Sequence, residues 1–87
     1  MMYKSATIMP WFLFTPPFPP GNPCDPNQYT LVGNAPPSCP NPNNFLCAIQ
    51  AINNFGQPII TAVLVCEINA ALENRTESVN VQLKPTP

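Results

Sequence analysis

The chain has 87 residues, a formal net charge of -1 and three basic side chains, so it carries neither the cationic footprint that nucleic acid requires nor a basic face for anionic lipid. Charged residues make up 8% of it, against about 25% in ordinary globular chains, while hydrophobic residues reach 45%, which excludes disorder driven by high charge. A domain of this size buries only about 60% of the surface its unfolded chain exposes, so staples or partners are expected.

The N-terminal stretch "MMYKSATIMPWFLF" sets Lys4 ahead of an apolar run in the manner of a signal peptide. The run is short, Pro10 interrupts it and no A-x-A-like cleavage site follows, so the segment is expected to be retained. No run reaches the 18 or so apolar residues of a membrane-spanning helix. Eleven of the 14 prolines fall within the first 42 residues, and from Met9 to Pro26 their density predicts extended or polyproline II backbone in place of helix or central strand. The expected organisation is an apolar Pro-rich arm over residues 1–23 and a small domain over 24–87.

"QYTLVG", Gln28 to Gly33, reads as a short strand, and "NAPPSCPNPNN", Asn34 to Asn44, as a loop. "FLCAIQAIN" sets Phe45, Cys47, Ile49 and Ala51 on one side and Leu46, Ala48, Gln50 and Ile52 on the other, a strand with both faces covered. "NFGQP" breaks it, and Pro58 suits the first turn of a helix running to Asn74. That helix is apolar nearly all round. Its sheet-facing side is predicted to hold Ile59, Val63, Cys66 and Ala70, leaving Ile60, Leu64, Ile68 and Leu72 for another covering element. "SVNVQLK", Ser78 to Lys84, alternates as a strand with Val79, Val81 and Leu83 inward. Strand, helix and strand from Phe45 to Lys84 predict a β-α-β unit with parallel strands and a right-handed crossover, in an α+β fold.

The sequence contains no histidine and no converging pair of acids among Asp25, Glu67, Glu73 and Glu77, so no enzyme chemistry is expected and no cofactor or metal is called for. Three scattered glycines make no phosphate-binding loop. "NRT" at Asn74 to Thr76 fits an N-glycosylation acceptor, and fits equally a helix stop followed by a polar turn. Cys24, Cys39, Cys47 and Cys66 form an even set without a C-x-x-C pair. Disulfides, and with them an oxidising compartment, are one reading of that set; four buried thiols packing as small hydrophobes are the other.

From Asp25 onward, "DPNQYTLVG", "PPSCP" followed by "FLCAIQA", "GQPIITAVLVCEI", "ALENRT" and "VNVQLKP" resemble a group of short exported proteins of Bacteroidota of unknown function that carry a C-x7-C-A-I element. The resemblance implies export from a bacterium and a cysteine bridge, and brings no activity or cofactor. Among the three pairings that four cysteines allow, Cys39 with Cys47 closes a short Pro- and Asn-rich loop and agrees with the resemblance, which leaves Cys24 with Cys66.

Trp11, Phe12, Leu13, Phe14 and Phe18 stand among prolines with no basic residue after Lys4 to anchor a proline-rich ligand. They could fold back as core or pack into a neighbouring copy, and the prolines favour the neighbour. The expected function is therefore a structural subunit that polymerises outside the cell into a filament, the arm from Ile8 to Pro20 and the second helix face at Leu64, Ile68 and Leu72 forming the subunit interface. The alternative is a small exported accessory or binding module of a larger cell-envelope complex.

Overall fold

The computed structural model describes residues 9–18, 21–40 and 43–85. Ile8, Pro19 and Pro20, included in the arm expectation, lie outside them. The elements are β1 (Trp11–Phe14), a 3-10 turn (Pro26–Gln28), β2 (Tyr29–Gly33), β3 (Phe45–Gln50), β4 (Asn53–Asn54), β5 (Gln57–Pro58), α1 (Ala62–Asn74) and β6 (Val81–Lys84). The fold is α+β: a four-stranded sheet in the order β2-β1-β3-β6, a β4–β5 hairpin, and one helix.

Every pairing in the large sheet is antiparallel, which corrects the expected parallel crossover. The reason lies in the connection. β4, β5, α1 and the turn after it bring the chain back alongside β3 in the opposite sense, with Leu46 opposite Leu83 and Ile49 opposite Val81.

The larger correction concerns the N-terminal segment. Its apolar run Trp11–Phe14 is the sheet's second strand, placed between β2 and β3, so these residues belong to the domain's sheet and not to a separate arm. Prolines bracket β1 without entering it, Pro10 before and Pro16 and Pro17 after, so none costs the ladder a donor. Trp11, Phe12 and Phe14 are buried within their own chain. The contact expected from a neighbouring copy is thus made internally at these three.

Alternation of side chains along β1 gives the sheet two covered faces. Phe12 and Phe14 join Tyr29, Leu46, Ile49, Ala51, Val81 and Leu83 on the face that receives Leu64, Ile68 and Ala71 of α1. Trp11 lies on the other with Cys47 and Ala48, where partly buried Leu13 and Cys39 pack against them. The register of β3 against β6 shifts between Leu46 and Ala48, so Cys47 is the extra residue of a bulge. That bulge carries Leu46 and Ile49 to one face, where strict alternation had put them on opposite faces.

The helix begins at Ala62, capped by Thr61 Oγ1, which accepts from the Leu64 N–H at 3.1 Å; Pro58, expected in its first turn, belongs to β5. Its faces are the reverse of the prediction. Leu64, Ile68 and Ala71 are buried with Leu72 partly so, while Val63, Cys66 and Ala70 face outward. The face with leucine and isoleucine removes more apolar area from water than the one with valine, cysteine and alanine, and burial selects it. At the C-terminus Arg75 adopts a left-handed conformation (φ 52°) that ends the helix.

Candidate interaction surface

The Cys39–Cys47 disulfide is formed, as expected, and fastens the loop before β3 to the bulge. Cys24 and Cys66 are both free and exposed, which corrects the second predicted bridge. With α1 turned so that Leu64 and Ile68 point to the sheet, Cys66 is carried to the outside of the helix.

Of the residues assigned to a subunit interface, Trp11, Phe12, Phe14, Leu64 and Ile68 are internal core, and Leu13 and Leu72 are partly buried against it. Only Phe18, 83% exposed, remains free for an external contact. The exposed apolar side chains lie where the sequence reading had placed core or turn: Val63 on the outer face of α1, Val79 in the turn before β6, and Phe55 at the β4–β5 tip. Phe55 (φ 53°) and Gly56 (φ 88°) are both left-handed, the conformation that closes a tight two-residue hairpin, and Asn53 Oδ1 accepts from the Gly56 N–H at 2.8 Å. The hairpin holds a phenyl ring fully in water.

An open cleft of about 230 Å³ lies between β3 and the start of α1, lined by Met9, Ile52, Ile59, Val63 and Leu64. It is smaller than the roughly 300–1,000 Å³ of ordinary small-molecule sites. At its polar end Glu67 accepts from Ser78 Oγ, from the Asn80 N–H at 2.9 Å and from Asn80 Nδ2 at 3.0 Å, tying α1 to the turn before β6. Partial burial pushes the Glu67 carboxyl up, but the hydrogen bonds from Ser78 and Asn80 outweigh it and hold the group below its ordinary value. Burial, with a smaller contribution from Cys24, raises the Tyr29 phenol well above its usual range, and its hydroxyl donates to the Pro23 carbonyl at 2.7 Å.

The two edges of the sheet differ. On β6, Asn80 and Lys84 turn their carbonyls to β3, accepting from Gln50 at 2.8 Å and Asn44 at 2.9 Å. The main-chain N–H and C=O groups of Val81 and Leu83 therefore point away from β3, while their side chains stay in the core. Val81 exchanges hydrogen bonds with Ser78 at 3.1 and 3.4 Å, and the Leu83 N–H donates to Glu77 Oε2 at 3.0 Å, so this edge is closed by its own chain. On β2, the Gln28 carbonyl accepts from Thr15 at 2.8 Å, and Thr30 lies opposite Leu13. By alternation Tyr29 and Leu31 direct their main-chain groups away from β1, and the β4–β5 hairpin packs against β2, with the Gln57 side-chain amide donating to Asn27 Oδ1 in the 3-10 turn before it. Nothing in the sequence pattern marks the β6 edge as closed, because the closure depends on where the Glu77–Ser78 segment returns.

Asn74 is exposed as the last residue of α1, and the Thr76 hydroxyl donates to its carbonyl at 3.1 Å. Among the described residues, no helix is long and apolar enough to cross a membrane. Compared with protein-family models, curated proteins and solved structures, the chain matches none.

Proposed function

We propose that this protein is a structural subunit that associates with copies of itself outside the cell and builds a filament. The carrying observation is the surface. Phe18, Phe55, Val63 and Val79 are between 78% and 101% exposed on a chain in which 8% of residues are charged, so apolar area is offered with little charge to oppose association. Among the described residues of the N-terminal segment, Phe18 is the large apolar side chain left to contribute, because the strand next to it is used inside the fold. The Cys39–Cys47 bridge is consistent with an oxidising, extracellular setting, and the resemblance to exported Bacteroidota proteins supports the same placement. In that setting Asn74 is a glycan acceptor, tested by the intact mass of the protein from its native source.

Sedimentation velocity over a concentration series, followed by negative-stain microscopy, tests the reading: association should grow with concentration and end in regular filaments. Val63→Asp should weaken assembly while leaving the melting temperature within a few degrees, since the side chain touches water and not the core. A single monomeric species at every concentration overturns the proposal. The second reading, an exported accessory or binding module of an envelope complex, is favoured by the apolar cleft beside α1 and would then take precedence.

A further inference from the structure

We infer that Asn34–Pro40 is a redox-held cover: the Cys39–Cys47 bridge keeps it over the Trp11 face of the sheet, and a dithiol reductant opens that face while the core under α1 stays folded. The inference goes beyond the self-association proposed above and does not depend on it.

Strand order places the cover. β1 lies between β2 and β3 and runs antiparallel to both, so β2 and β3 point the same way and the chain leaving Gly33 must cross β1 to reach β3. It crosses on the side away from α1, because Cys39 packs there against the cluster of Trp11, Cys47 and Ala48. The crossing is thin: Asn34, Ala35, Pro36, Ser38 and Pro40 are exposed, and Pro37 and Cys39 are half-buried. Pro36, Pro37 and Pro40 have no N–H to give. Among the described residues, the hydrogen bonds that anchor this connection come after the cover, from Asn43 Nδ2 to the Arg75 carbonyl at 3.4 Å and from the Asn44 N–H to the Lys84 carbonyl at 2.9 Å. The bridge is therefore what fastens the cover to the sheet. The buried cluster beneath it shares no member with the core that Leu64, Ile68 and Ala71 close on the other face, so one face can open while the other holds.

The chemistry of opening is thiol–disulfide exchange. Cys47 is 3% exposed and Cys39 is half-buried on the cover, so an incoming thiolate reaches Cys39 Sγ. A bond forms between the two sulfurs, the bond to Cys47 breaks, and Cys47 leaves as a thiolate that takes up a proton. The second thiol of the reductant then attacks its own partner sulfur, closing the reductant to a disulfide and releasing Cys39 as a thiol. Two electrons have passed from the dithiol to the bridge. With Cys39 parted from β3, Trp11, Leu13 and Ala48 are left to water on a chain in which 8% of residues are charged. The oxidation state of one bridge thus decides whether this sheet face is core or surface.

Trp11 is the chain's only tryptophan, so its emission reports the cover directly. The test uses the full chain with Cys24→Ser and Cys66→Ser at low concentration, with dithiothreitol as the reductant. Reduction should shift the emission to the red and raise its quenching constant with acrylamide by about threefold, while far-UV circular dichroism and a cooperative melt persist, as expected of a local opening. Cys39→Ser in the same background should show the open emission without reductant, and reoxidation of the bridged chain by glutathione disulfide should restore the shielded one. A tryptophan that stays shielded after reduction and in Cys39→Ser shows that the cover holds without the bridge and overturns the inference. Loss of helix together with tryptophan exposure overturns it as well, because the bridge would then be a staple for the whole fold.

Discussion

Phe12 shows how a residue's neighbours override its local sequence. Set between Pro10 and Pro16, it has no exposed surface and contacts the core shared by the sheet and α1. Phe12→Ala should therefore cost about 3–5 kcal/mol of stability in urea unfolding. A loss below about 1 kcal/mol, the scale of a surface substitution, would show that the segment is not core. Glu67 makes a pH-dependent contribution of known sign. Its folded carboxyl lies below the roughly 4.3 of an unfolded glutamate, so its contribution is complete above that value and is lost as pH falls through the folded pKa. Melting curves from pH 6 downward should show Glu67→Gln falling less steeply than wild type in the acid range; parallel curves would mean that the bonds to Ser78 and Asn80 contribute nothing to folding. The importance of Glu67 was hidden in the sequence, because its partners lie 11 and 13 residues further on.

Among elements, α1 is the one whose existence was legible and whose orientation was not. Length, alanine content and the Asn74 stop identify it, but an apolar pattern on nearly every side leaves two faces eligible for the sheet. Packing chose the face with the larger side chains. Thr61→Ala removes the cap that receives the Leu64 N–H and should cost about 1 kcal/mol, read as a shift in the urea midpoint with unchanged slope. Leu64→Asp should unfold the chain, as far-UV circular dichroism would report, because it places a carboxylate in the core; a folded Leu64→Asp protein would contradict the observed orientation. β1 was hidden for a different reason. A four-residue strand between prolines has too few positions to show a period, and it was recognised as apolar without being recognised as sheet.

For the whole molecule, the placement of β1 changes what truncation should do. A chain lacking residues 1–20 loses the strand that joins β2 to β3, so it should be unfolded instead of a folded, unassembled domain. A cooperative melt of that truncated chain would contradict the sheet order. The cysteines give a chemical test of the same structure: a thiol reagent should count two free thiols in the native protein and four after reduction and unfolding. Two fewer in the oxidised chain would restore the Cys24–Cys66 bridge. Reducing Cys39–Cys47 alone releases a loop of 8 residues' separation and should lower stability by about 2–3 kcal/mol.

Composition and spacing determined the α+β class, the strands at Tyr29, Phe45 and Val81, the helix ending at Asn74 and the short disulfide, because each depends on neighbours close in sequence. Tertiary structure alone decided the antiparallel order, the face that α1 buries, the free state of Cys24 and Cys66, and the closure of the β6 edge by Glu77 and Ser78. Those features rest on contacts between segments far apart in the chain, where several arrangements satisfy the same hydrophobic pattern and only the packed whole distinguishes them.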